Sequence, residues 1–186
     1  NEEQAMGLAQ ALLDGGINVI EITLRNAYGV TAIEVIKKNF PEMVVLAGTV
    51  NSSVQMVSVV EAGVDAIISP GLTESLLKTA EQLGVPYLPG VATASDVLMA
   101  IEYGLTECKL FPATVVGGIN ALKAFGGPFE GIKFCPTGGV SPANYHDFLA
   151  LPNVMCVGGS WLAPSKLVAN GDWPAITALC KAVTAQ

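Results

Sequence analysis

Apolar residues along this chain fall into short, β-branched runs separated by stretches whose apolar positions recur at intervals of three and four. The runs are "NVIEITL" from Asn18, "VVLAGTV" from Val44, "AIISP" from Ala66, "YLPGVA" from Tyr87, "CKLFPA" from Cys108, "KFCPTGG" from Lys133 and "VMCVGGS" from Val154. They begin 21 to 26 residues apart, the length of one βα unit. Between them "GVTAIEVIKKNF", "NSSVQMVSVVEAG", "TESLLKTAEQLG" and "TASDVLMAIEYG" predict helices, with Ser, Thr or Asn as N-caps and Gly at several ends.

Strand and helix alternate without a linker or a shift in composition, which predicts one domain over residues 1–186, a parallel sheet covered by helices. The regular repeat favours a (β/α)8 TIM barrel over an open doubly wound sheet. Seven strands are counted. The chain begins inside a helix pattern that ordinarily follows strand one, so the first strand of the barrel is expected to be missing.

Composition narrows the function classes. The 186 residues are 51% hydrophobic with only 13% charged, enough apolar material for a large core. A net charge of -7 argues against nucleic acid as a partner, since phosphate-backbone binders concentrate Lys and Arg on one face. No apolar run approaches the roughly 20 residues that span a bilayer, and the N-terminal "NEEQAMGLAQALLDGG" is acidic, so no membrane partner is expected and the location is read as cytoplasmic. Cys108, Cys135, Cys156 and Cys180 lack C-x-x-C spacing and are read as reduced core thiols.

Charge is unusual where it interrupts a strand. In "NVIEITLRN" the side chains of Glu21, Thr23 and Arg25 share one face and those of Ile20, Ile22 and Leu24 the other. Helices outside a parallel barrel demand apolar partners, so the polar set is expected to face the lumen. Arg25 is the only arginine in the chain. The same parity places Lys109, Phe111 and Ala113 opposite Cys108 and Leu110. A desolvated lysine loses proton affinity and becomes an amine nucleophile suited to imine formation with a carbonyl. An alternative stands beside this one: Glu21, Arg25 and Lys109 as a buried ionic cluster that fixes barrel register.

Two glycine pairs end the last strands, Gly138 and Gly139 in "PTGGVS" and then Gly158, Gly159 and Ser160 in "GGSW". Glycine exposes backbone N–H groups and lets a phosphate approach, with a helix N-terminus behind, as in the usual barrel phosphate site. Other candidates fall away. Lys133 lies at the beginning of its strand, away from the site end. His146, the only histidine, reads as a solvated helix residue, which removes zinc and His-based triads. Asp65, Asp96 and Asp147 read as loop, cap and helix residues, so no metal site is expected.

Taken together, "GGINVIEITLR", "AGTV", "ISPGLTE", "LPGVAT", "KLFPA", "FCPTGGVSPANY" and "VGGSWL" resemble the KDPG/KHG aldolase family over essentially the whole chain. The resemblance implies a class I aldolase that splits 2-keto-3-deoxy-6-phosphogluconate into pyruvate and glyceraldehyde 3-phosphate, with 2-keto-4-hydroxyglutarate as a further substrate of many members. It implies Lys109 as the Schiff-base lysine and Glu21 as general acid/base. It further implies that Arg25 and Thr49 hold the substrate carboxylate, Pro70 and Phe111 pack the pyruvyl portion, and Thr137 lines the sugar-acid pocket. Gly138, Gly139, Gly159 and Ser160 would hold the phosphate. No cofactor is implied, and the partners are a phosphorylated keto acid and two further copies in a homotrimer. Thr114 departs from the family, many members having an acidic residue there. Two other functions fit the residues alone: another phosphate-binding barrel, such as an isomerase or a thiamine-phosphate-synthase-like enzyme, and a non-catalytic sugar-phosphate-binding barrel.

Overall fold

Capping residues set most helix limits where the sequence predicts them. In the computed structural model, which describes residues 1–185, the elements run α1 (Glu2–Asp14), β1 (Val19–Thr23), α2 (Gly29–Asn39), β2 (Val44–Gly48), α3 (Ser53–Glu61), β3 (Ala66–Ile68), α4 (Glu74–Leu83), β4 (Tyr87–Leu88), β5 (Gly90–Val91), α5 (Ala94–Glu102), β6 (Glu107–Leu110), α6 (Gly118–Phe125), β7 (Lys133–Pro136), α7 (Tyr145–Leu149), α8 (Ser165–Asn170) and α9 (Trp173–Thr184). Ser52, Thr73 and Thr93 each accept a backbone N–H from the first turn of α3, α4 and α5. Asp96 closes a capping box with Thr93, the cap role expected of it. Gly84 ends α4 in the left-handed region, where a side chain would be strained.

The described residues form two compact units, Asn1–Ile67 with the segment from Ser160, and Ile68–Gly159. In the first, β1, β2 and β3 are parallel, with Val19 opposite Val44 through Thr23 opposite Gly48, then Leu46 opposite Ala66. Ile33, Ile36, Val45, Ala47, Met56 and Ile176 are fully buried in its core. Asp65 ties three elements together: its carboxylate accepts from Lys37 Nζ at 2.8 Å and from the Val45 N–H at 2.7 Å. Helix α1 lies against α9, and here glycines matter. A Cβ on Gly7 would overlap the Trp173 indole, and one on Gly15 would overlap Cys180 Cβ.

In the second unit, β5, β6 and β7 are parallel. The expected strand "YLPGVA" is broken into β4 and β5 at Pro89, which has no N–H for a ladder. The expected last strand survives only as two bridges, Phe134 opposite Val154 and Thr137 opposite Gly158. Three steps along β7 thus face four along its neighbour, so the neighbour carries one extra, bulged residue. Pro136 offers no N–H to restore the ladder there. Cys156 lies in this bulge and is exposed, which corrects its reading as a core thiol; Cys108, Cys135 and Cys180 are buried.

Candidate active site

The end of β1 and the end of β2 carry the first group. Leu24 packs on Gly29 at the start of α2, so the apolar face of β1 meets a helix as parity requires. The Leu24 N–H donates to Gly48 O at 2.9 Å, joining the two strand ends. Glu21, half-buried, lays its carboxyl over Gly48, where any Cβ would overlap Oε1. Glycine at 48 is therefore a requirement of the carboxylate's position. Arg25 is exposed in the bend after β1, and Thr23 is half-buried between the two charged residues. Thr49 follows Gly48 with φ of +57°, a left-handed conformation that is costly for a β-branched residue. Such strain, about 1–3 kcal/mol, persists where the surrounding structure imposes it and is concentrated at functional sites.

The second group surrounds Lys109. Its side chain leaves the middle of β6 between Gly90 on β5 and Cys135 on β7, and the residue is 6% exposed. Cys108 and Leu110, on the opposite face, are fully buried, so both faces of β6 are covered. Lys109 Nζ stands 5.3 Å from the centre of the Phe111 ring, within cation–π range. Gly90 approaches the Pro70 carbonyl so closely that a Cβ would overlap it. The absence of a side chain at Gly90 therefore lets the Pro70 backbone lie against β5.

Burial and hydrogen bonding shape the thiols and the phenol nearby. Cys135 donates to Cys156 and is buried, which pushes its pKa up and pulls that of Cys156 down. Burial, reinforced by the charge of Glu107, raises Cys108 to about 12. Burial raises Tyr87 to about 12 although its hydrogen bond with Ser69 opposes this. Cys108 and Tyr87 are therefore neutral at pH 7.

The third group is the turn after β7. Gly138 and Gly139 both have positive φ, 97° and 78°. Gly138 presses on Pro112, and a Cβ on Gly139 would overlap the Thr114 hydroxyl. Thr137 is half-buried against Gly158, itself so close that a Cβ would meet the Thr137 hydroxyl. Gly159 and Ser160 are exposed. The helix expected directly behind these turns is more distant in sequence, since α7 begins at Tyr145 and α8 at Ser165.

The structure thus places Glu21, Arg25 and Thr49 on adjoining strand ends of one unit. In the other it gathers Pro70, Lys109, Phe111, Thr137, Gly138 and Gly139. Supporting residues that the sequence reading passed over are Ser69, Tyr87 and Asn144. Ser69 is fully buried, donates to Gly71 O and pairs with the Tyr87 hydroxyl at 2.6 Å, bracing the backbone on either side of Pro70. Asn144 holds the glycine turn by donating to Gly139 O at 3.0 Å. A serine inside an otherwise apolar run, as in "AIISP", was the one available signal. Lys133 is exposed at the first position of β7 and donates to Pro152 O, and His146 is exposed on α7 beside Tyr145, both as expected. Among the described residues no group of three potential metal ligands occurs.

Comparison with known proteins agrees across the chain. A family model described as KDPG and KHG aldolase matches residues 1–179. KHG/KDPG aldolase of Escherichia coli strain K12 is 50% identical over 179 residues, 96% of this chain and 84% of that protein. 2-Dehydro-3-deoxy-phosphogluconate aldolase of Dickeya dadantii is 48% identical, covering 98% and 86%. Among solved structures, KDPG aldolase from Legionella pneumophila, with pyruvate captured as a covalent carbinolamine, superposes with a TM-score of 0.97 at 45% identity, covering 98% and 89%. A 3-keto-L-gulonate-6-phosphate decarboxylase from Vibrio cholerae matches at 18% identity and a TM-score of 0.63, a likeness of fold alone. The fold is therefore the α/β, (β/α)8 class that the strand and helix pattern predicts. A match over nearly the whole chain at half identity, with a buried lysine within β6, a carboxylate within β1 and a glycine turn after β7, leaves one assignment: the chain belongs to the KDPG/KHG aldolase family and is an aldolase, a carbon–carbon lyase.

Proposed function

We propose that this aldolase cleaves 2-keto-3-deoxy-6-phosphogluconate through an imine on Lys109, giving pyruvate and glyceraldehyde 3-phosphate, with 2-keto-4-hydroxyglutarate as a second substrate. The observation that carries the reading is a lysine only 6% exposed within β6, its Nζ 5.3 Å from the Phe111 ring centre, in a chain that the family model matches over residues 1–179. The Lys109 amine adds to the C2 ketone, and loss of water gives a protonated imine that accepts electrons. Glu21, directly or through a water, takes the C4 hydroxyl proton, the C3–C4 bond breaks, and the aldehyde leaves. The pyruvate enamine on Lys109 is then protonated, and hydrolysis of the imine frees pyruvate.

Arg25 and Thr49 hold the substrate carboxylate, which a guanidinium grips with two parallel hydrogen bonds. Pro70 and Phe111 pack the pyruvyl carbons, Thr137 lines the sugar-acid chain, and Gly138, Gly139, Gly159 and Ser160 take the phosphate. Residues 1–186 act as a single catalytic domain in the cytoplasm. No helix among the described residues is long and apolar enough to cross a membrane. Val54 at 77% and Leu98 at 53% exposure give each unit apolar surface for a homotrimer to cover.

Borohydride trapping tests the chemistry. Incubation with pyruvate and borohydride, followed by digestion and mass mapping, is expected to label Lys109. Absence of label, or label confined to another lysine, refutes the imine.

A further inference from the structure

The turn that carries Gly138 and Gly139 has three consecutive carbonyls tied back. The Ala113 N–H donates to Thr137 O at 2.8 Å, and the Thr114 N–H and Oγ1 donate to Gly138 O at 3.1 and 3.3 Å. Asn144 Nδ2 donates to Gly139 O at 3.0 Å. In a trans peptide the carbonyl and the following N–H point in opposite directions. Fixing each carbonyl therefore aims the next N–H, those of Gly138, Gly139 and Val140. Among the described residues no hydrogen bond uses these three N–H groups. Successive N–H groups on left-handed backbone form an anion-binding concavity.

Asn144 is braced for this task at both ends. While Nδ2 donates to Gly139 O, Oδ1 accepts from the Ser141 N–H at 2.8 Å. The residue occupies the N-cap position of α7, yet its side chain makes no capping bond to that helix. The side chain serves the turn instead.

We propose that Asn144, with Thr114 as a second brace, is the positioning residue that aims the Gly139 and Val140 N–H groups at the substrate phosphate and so sets the preference for phosphorylated keto acids. The inference rests on the aldolase reading above. Neither residue touches the reacting carbons. Their loss frees two peptide units to rotate and weakens only a substrate that carries a phosphate.

Steady-state cleavage of 2-keto-3-deoxy-6-phosphogluconate and of unphosphorylated 2-keto-4-hydroxyglutarate by wild type, Asn144→Ala, Thr114→Val and Thr114→Ser tests this. Pyruvate–borohydride labelling of Lys109 and inorganic phosphate binding by calorimetry accompany the kinetics. Asn144→Ala is expected to raise KM for the phosphorylated substrate about tenfold, the effect of one well-placed hydrogen bond. Thr114→Val is expected to raise it about threefold, because its bond is longer, and Thr114→Ser to restore it. In all variants kcat, the unphosphorylated reaction and the labelling stay at the wild-type level, and phosphate binding weakens in step with KM. Equal losses on both substrates, or an unchanged KM and phosphate affinity, overturn the proposal. If Asn144→Ala does not fold by circular dichroism, Thr114→Val and its serine rescue decide the matter. A wild type that takes no pyruvate label overturns the aldolase reading, while the phosphate titrations still judge the brace.

Discussion

At the middle of β6 a lysine is 6% exposed between neighbouring strands, whereas Glu21 within β1 and Thr49 just after β2 are half-buried and Arg25 stands in solvent. The two regions are built for different tasks. An amine that attacks a carbonyl gains from a packed setting that fixes its position against the substrate. In the proposed mechanism Glu21 moves protons and Arg25 receives a charged substrate, tasks that need access to water and ligand. The packed region sets thiols, a phenol and glycines near its lysine, and the open region uses a strained backbone.

Lys109→Met should produce the largest effect. It removes the amine on which the proposed imine forms, and kcat/KM for pyruvate release is expected to fall on the order of 10³-fold or more. A coupled assay with lactate dehydrogenase measures this, and borohydride labelling should vanish with the activity. Retained activity would mean that the packed region is structural. Glu21→Gln comes next, with kcat expected to fall about 10²- to 10⁴-fold, the usual range for loss of a general acid/base. Labelling of Lys109 by pyruvate should be retained in amount, since the amine is untouched. If labelling disappears as well, the division of labour between the two regions is wrong.

The same two residues explain what could be read in advance. Strand parity has a period of two, so a charge inside an apolar run declares its face without knowledge of any neighbour, and Glu21 and Lys109 stood out for that reason. The caps at Ser52, Thr73 and Thr93 were legible because capping is local. Thr49's left-handed backbone was not, because it depends on how β2 ends beside β1. Nor was Asn144, whose partners Gly139 and Ser141 are joined by a turn with no period, nor Gly7, whose meaning lies with Trp173 far along the chain. Cys156 was misread as core because the run "VMCVGG" looks like a strand, while the ladder beside Pro136 fails and bulges. Pro89 signalled its break within the sequence itself.

Thr49→Gly sharpens the contrast on the open side. Glycine adopts φ near +57° without a Cβ penalty, so thermal unfolding should show a gain of about 1 kcal/mol. The lost hydroxyl should raise KM for the keto acid several-fold with little change in kcat, since Arg25 shares the carboxylate in the proposed mechanism. Opposite signs on stability and affinity are the expected signature. A loss of both would show that Thr49 holds β2 in place and is no ligand.

Asp65→Asn gives the smallest expected effect and serves as the control away from both regions. Burial alone would raise the pKa of Asp65, but the hydrogen bonds from Lys37 and from the Val45 N–H outweigh it and hold the carboxyl below its ordinary 3.8. A depressed folded value means that the charged form stabilises the fold. This contribution is complete above pH 3.8 and is lost as pH falls through the lower folded value. The carboxylate is partly exposed, so screening keeps the ion-pair share small, and the weakened acceptor at the Val45 N–H dominates, about 1 kcal/mol in all. Urea unfolding at pH 7 should show that loss, and the wild-type advantage should shrink as the titration is carried below pH 3.8. Neither KM nor kcat should move, because Asp65 precedes β3, ties the beginnings of strands and has no part in the proposed mechanism. A kinetic change in this variant would mean that the strand framework and the reacting groups are coupled.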